Sequence, residues 1–115
     1  MAISEAYSGT ATISTTEYSL TGNSTTIQTQ TTDGVYQCFL DLTNLTITEI
    51  YELKIKEKVI STGTQNTVYR ATFTGPQAAP YTSIPSLLLL HGWDITMDKI
   101  SGTDRAISWS IRQVA

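Results

Sequence analysis

The sequence has little of what enzymes, secreted miniproteins and nucleic-acid binders are built from. Its 115 residues include one cysteine, Cys38, and one histidine, His91. A lone cysteine excludes an intrachain disulfide. Small secreted domains generally depend on several such bridges, so a reducing compartment is expected. One His and one Cys also exclude a metal site with two His or two Cys ligands. Seven lysines and arginines stand against ten acidic residues, for a formal net charge of −3. The only dense lysine segment, residues 54–58, is interleaved with apolar and acidic residues and reads as the wet face of a strand. No nucleic-acid partner is expected, because that needs a clustered basic face. The longest aliphatic run, residues 87–90, is far too short to span a bilayer, so no membrane partner is expected either. The opening residues, 1–7, have no basic region and no apolar stretch of signal length, which predicts a chain not exported by a signal peptide.

The constellations that carry chemistry are missing too. His91 lies in Leu90-His91-Gly92, just past the aliphatic run, with no G-x-S-x-G nucleophile turn anywhere in the chain. It reads as a strand-end or turn residue. Asp41, Asp94 and Asp98 supply carboxylates but no pattern that faces two of them into one cleft. Asp94, Asp98 and Asp104 match no calcium-loop spacing. The glycines fall singly in turns and form no phosphate cradle. These absences predict a protein that is not an enzyme, with no cofactor, no catalytic residue and no metal ligand.

What is present divides the chain in two. Residues 1–32 are rich in Thr and Ser and nearly free of charge. Threonine suits strands, because its branched Cβ fits a pleated surface. With little apolar material on either face, however, the register of such strands is weakly specified. Residues 1–32 are therefore read as an N-terminal arm with edge strands, ordered by whatever it packs against. Residues 33–115 are read as the sandwich core of what is one domain overall, long enough to bury about two thirds of its unfolded surface.

In that second part, Asp33-Gly34 marks a turn, and Tyr36, Cys38, Leu40 and Leu42 then alternate with less apolar neighbours. From Ile50 onward Tyr51, Leu53, Ile55 and Val59 share one face and Glu52, Lys54, Lys56 and Lys58 the other. Strands follow around residues 68–73, 87–90, 93–97 and 106–111. The three prolines all lie within residues 76–85, which read as the connection where the chain changes sheets. About eight short strands and no sustained helical period predict an all-β protein, a single antiparallel β-sandwich. A jelly roll is preferred over an immunoglobulin-like order, whose cysteine pair is absent. Strand parity assigns Tyr36, Cys38, Leu40, Leu53, Ile55, Tyr69, Phe73, Ile95, Met97, Ile107, Trp109 and Ile111 to the core. Apolar and aromatic residues in polar surroundings, Ile3, Tyr7, Ile13, Tyr18, Ile27 and Tyr81, are the candidates for contact with a partner.

The segments Asp33-Gly34-Val35-Tyr36-Gln37, Leu40-Asp41-Leu42 and Glu52-Leu53-Lys54-Ile55-Lys56-Glu57-Lys58-Val59 resemble small structural proteins of tailed bacteriophages. So do Tyr69-Arg70-Ala71-Thr72-Phe73-Thr74-Gly75 and Gly102-Thr103-Asp104-Arg105-Ala106-Ile107-Ser108-Trp109. The resemblance covers residues 33–112 and implies a virion component assembled in the bacterial cytoplasm. Within that class it points to a capsid cement or decoration protein. Such a protein binds the major capsid protein on the outside of the head as a homo-oligomer, a trimer or a dimer, and stabilises neighbouring subunits. A tail or head-fibre component and a carbohydrate-binding β-sandwich are the alternatives. Oligomeric state separates them, since a carbohydrate module would act as a monomer through a ring-lined face.

Overall fold

The computed structural model describes residues 2–114. Every regular element among them is a strand: β1 (Ile3–Ile13), β2 (Tyr18–Ser19), β3 (Gly34–Asp41), β4 (Ile50–Glu57), β5 (Asn66–Thr74), β6 (Tyr81–Leu89), β7 (Asp94–Ser101) and β8 (Arg105–Val114). They form two four-stranded antiparallel sheets, β1-β8-β3-β6 and β2-β7-β4-β5. The pairs β1·β8, β2·β7, β3·β6 and β4·β5 nest inside one another and alternate between the sheets. The chain is thus one long hairpin with its tip at β4–β5, rolled up so that successive pairs fall on opposite layers. That is the jelly roll, as expected from the sequence.

Strand parity explains the core. Tyr36, Cys38 and Leu40 of β3, Tyr51, Leu53 and Ile55 of β4, and Ile107, Trp109 and Ile111 of β8 all point between the sheets and are buried. On β7 the inward Ile95 and Met97 are buried, and so are the outward Asp94 and Thr96. The segment after β1 covers them. Glu17 accepts a hydrogen bond from the Thr96 hydroxyl, and Asp94 accepts from Thr21 Oγ1 at 2.7 Å and Gln28 N at 2.9 Å. At the β7–β8 turn, Gly102 has φ +89°, and a side chain there would strike the Thr48 carbonyl, so the turn requires glycine.

The Thr- and Ser-rich segment is the edge of both sheets. β1 pairs with β8 from Ile3↔Val114 to Ile13↔Arg105, and β2 pairs with β7. Ile13 and Leu20 are buried core residues. Leu20 O accepts from Trp109 Nε1 at 2.9 Å, and Ile13 O accepts from the Tyr51 hydroxyl at 3.0 Å. The alternation from residue 50 ends sooner than the pattern implied: β4 stops at Glu57, and Val59 stands in an exposed turn. Tyr69, assigned to the core by parity, is half exposed, because β5 lies at a sheet margin where no further strand covers it. The proline-containing connection does carry the chain between sheets, but it is shorter than expected. β6 already begins at Tyr81, and Pro85 sits within this edge strand at a register shift, where no ladder donor is required.

Candidate functional site

The residues singled out as partner contacts do not form one surface. Ile3 and Tyr81 are exposed, at 69% and 73%. Ile13 is fully buried and is unavailable to a partner, because the inward parity of β1 carries it into the core. Tyr7 and Tyr18 are half-buried and pack edge-on against Trp93 and Trp109, with centroids 6.0 and 5.9 Å away. Ile27 is half-buried in the covering segment. Tyr7, Ile13 and Tyr18 therefore belong to the packing of the domain.

The polar residues weighed for chemistry are dispersed in the same way. His91 sits in the turn before β7. Its backbone N–H donates to Glu57 Oε2 at 2.9 Å, and its carbonyl accepts from Lys58 N at 2.9 Å. Asp94 holds the covering segment down, and burial raises its carboxyl above the usual range. Asp98 lies 3.8 Å from Lys54 Nζ, and Asp104 pairs with Lys99. No group of three or more His, Cys, Asp or Glu able to hold a metal occurs among the described residues. Glu49, which sequence reasoning passed over, is fully buried and accepts from Thr46 N at 2.7 Å, Arg105 Nε at 2.9 Å and the Thr48 hydroxyl. Thr48 first, then the Thr46 backbone and the Arg105 guanidinium, hold its pKa down at about 2. This clasp fastens the β3–β4 connection to β8.

Two surface features remain. At one end, where the margins formed by β5 and β6 come together, Val59, Ile60 and Leu88 are 82%, 62% and 80% exposed, with Val68 and Leu90 half exposed. Val59, Val68, Leu88 and Leu90 line a shallow depression of about 580 Å³, rimmed by Asp33, Glu57, Lys58 and His91. The sequence did carry a signal for it. Val59 and Ile60 continue an apolar pattern past the end of their strand, and residues 87–90 hold more leucines than one strand face can bury.

The second feature is a groove of about 360 Å³ on the outer face of the β1-β8-β3-β6 sheet. Phe39 of β3 lies opposite Ser83 of β6 and Ser110 of β8, and Asp41 lies opposite Tyr81 and Ser108. The Arg112 guanidinium stacks 3.9 Å above the Phe39 ring, and its Nε donates to Ser110 Oγ at 3.2 Å. That stack separates the groove from a smaller depression lined by Ile3, Val35, Gln37 and Ser86.

No protein-family model matches the sequence, and no curated protein does. Six solved chains are matched in a comparison of structures. One is the crystallographic structure of the CBM22-1–GH10 modules of the N-terminal endo-1,4-beta-D-xylanase 10B of Clostridium thermocellum, complexed with xylohexaose. It shares 16% identity over 93% of this chain and 26% of that one, with a TM-score of 0.46. The present chain thus spans about a quarter of that protein's length.

Proposed function

We propose that the protein is a non-enzymatic assembly module, a virion decoration protein that forms a homo-oligomer and docks on a capsid lattice through its β5/β6 end. The observation that carries this reading is the cluster of Val59, Ile60, Val68, Leu88 and Leu90 left in water at one end of the sandwich. Contiguous apolar surface of this kind, rimmed by polar residues, marks protein contact sites. It lies beside two edge strands, whose unpaired backbone groups on their outer sides add a second means of attachment. The jelly roll is an architecture of viral capsid and lectin domains, and the resemblance over residues 33–112 favours the former.

The module closes into a symmetric trimer or dimer, and on the shell it bridges neighbouring subunits, so that opening one contact requires opening several. Binding to the assembled lattice stabilises that state by mass action. Light scattering on the purified protein is expected to give an oligomer. A Leu88→Lys, Val59→Lys double variant is expected to be a monomer that still unfolds cooperatively, since both residues are exposed in the single chain, and to melt lower than the wild-type oligomer only by the stabilisation that association supplies. Particles lacking the protein, or carrying the double variant, are expected to release genome at a lower temperature than complete ones. A monodisperse wild-type monomer at high concentration overturns the assembly reading. Equal release temperatures, with the protein recovered from separated tails, would place it in the tail or fibre.

A further inference from the structure

We propose that the outer face of the β1-β8-β3-β6 sheet binds a neutral oligosaccharide, with Tyr81 and Arg112 as its principal contacts. The relief of the face comes from side-chain size. Serines 83, 108 and 110 make a low floor, and Phe39, Tyr81 and the Arg112 stack rise around it. An extended ligand reaches the sheet between these walls. The floor presents hydroxyls, which donate and accept, and so match the hydroxyls of a sugar in either role. Ser108 and Thr10 already pair at 2.7 Å, and Ser110 donates its one proton to Glu5 Oε2 at 2.5 Å, so these two hydroxyls are oriented before a ligand arrives. Ser110 then meets a sugar as an acceptor, leaving Ser83 to take either role.

Tyr81 is the anchor. Its ring is 73% exposed, and among the described residues its hydroxyl has no partner. A rigid amphipathic ring standing over a polar floor offers an apolar face to the C–H side of a pyranose and a hydroxyl to its rim. Arg112 is preorganised at the other end. The Phe39 ring and Ser110 hold its guanidinium, and its terminal amino groups are without partners among the described residues. Asp41 is oriented from one side by Thr43, whose N and Oγ1 donate to Oδ1 at 3.1 and 2.7 Å. Its other oxygen has no hydrogen-bond partner among the described residues, and Asp41 lines the groove.

Charge selects the class of ligand. The Arg112 backbone faces Gln37, four residues from Asp41 and about 13 Å along β3 at the rise of an extended strand, and its guanidinium lies over Phe39 between them. Arg112 stands between two carboxylates, Asp41 and the Glu5 that lies opposite it on β1, so the face carries no block of one sign. A polyanion or polycation meets repulsion at one end of such a site, whereas an uncharged polyhydroxyl chain finds a donor at one end and an acceptor at the other. Tyr81 and Leu88 lie near opposite ends of β6, so a module docked by its apolar end leaves this face open. The inference therefore does not rest on the proposed assembly role.

The test is a titration of the intact protein, followed by two-dimensional amide NMR. The probes are neutral gluco-, manno-, galacto- and chito-oligosaccharides, with oligogalacturonate as the anionic comparison. At least one neutral oligomer at millimolar concentration is expected to shift amides of Phe39, Ser83 and Ser110 and to leave β4 and β7 unmoved. Tyr81→Ala is expected to weaken that binding roughly tenfold, with melting temperature and oligomeric state unchanged. Arg112→Gln, which keeps a planar donor but loses the charge, is expected to weaken it less. No shifts with any neutral oligomer, a stronger response to oligogalacturonate, shifts centred elsewhere, or wild-type binding by Tyr81→Ala would each overturn the proposal.

Discussion

Glu49 is the residue at which acid reaches the fold. In the folded chain its pKa lies at about 2, against 4.5 for a free glutamate, so folding requires the ionised form. The stabilisation is complete above pH 4.5 and is lost as pH falls toward 2. Asp94 and Asp98 act in the opposite sense, because burial raises their carboxyls. Comparison with a variant isolates Glu49. Glu49→Gln is expected to melt lower than the wild type at neutral pH, with the difference shrinking as pH approaches 2. A difference that stays constant between pH 6 and pH 2 would assign the clasp to packing. Cys38 is a neighbouring case without consequence for redox chemistry: burial pushes its thiol up to about 12, and it is a small core hydrophobe.

Trp109 shows how far a single residue could be read from the sequence. Its parity placed it inward, and truncation to alanine is expected to cost about 3–5 kcal/mol, read from denaturant unfolding. What parity did not reveal is its hydrogen bond to Leu20 O, or that Gly9 makes room for it. A Cβ at Gly9 would lie 2.7 Å from Trp109 Cζ2. The same rule failed at Tyr69, since alternation says which face a side chain takes but not whether the strand is central or marginal.

At the scale of elements, β1 is the instructive strand. Its inward residues are Tyr7, Gly9, Ala11 and Ile13, small or amphipathic except for the last, so its sequence carries almost no apolar alternation. Taken alone, that pattern reads as an arm lacking a core of its own. The structure gives the physical reason for the pattern. The large ring comes from β8, and β1 supplies the space into which it fits. Deleting residues 1–32 therefore removes an edge strand from each sheet together with Ile13 and Leu20. The shortened chain is expected to lose cooperative unfolding and to bind a hydrophobic dye. A sharp, wild-type-like melting transition in that truncation would show that the segment is dispensable for folding. β3, β4 and β8, by contrast, were legible almost residue by residue, because each buries one face and wets the other.

At the scale of the whole molecule, strand number and sandwich class followed from spacing, but strand order did not. Immunoglobulin-like and jelly-roll orders use similar strands and differ in which distant segments meet. That is settled by contacts such as Trp109 with Leu20 and Tyr51 with Ile13, between residues far apart in the chain. The apolar end was hidden for a related reason: Val59, Val68 and Leu88 belong to three separate stretches that become one surface only when β5 and β6 take up the margins of the two opposed sheets.

The outermost pair of the roll, Ile3 with Val114, brings the two extremities of the described chain into register on neighbouring strands. Position along the polypeptide and position in the roll are therefore separable. A short linker from residue 114 to residue 3, with new termini opened in the turn at residues 61–64, is expected to give a circular permutant of nearly the same equilibrium stability. Its folding rate is another matter. The permutant trades the local β4–β5 hairpin for a local β1–β8 hairpin, so the barrier is crossed from the opposite edge of the roll. Stopped-flow refolding of the two forms would read that change, and a permutant that fails to fold would show that the roll must be wound from its tip.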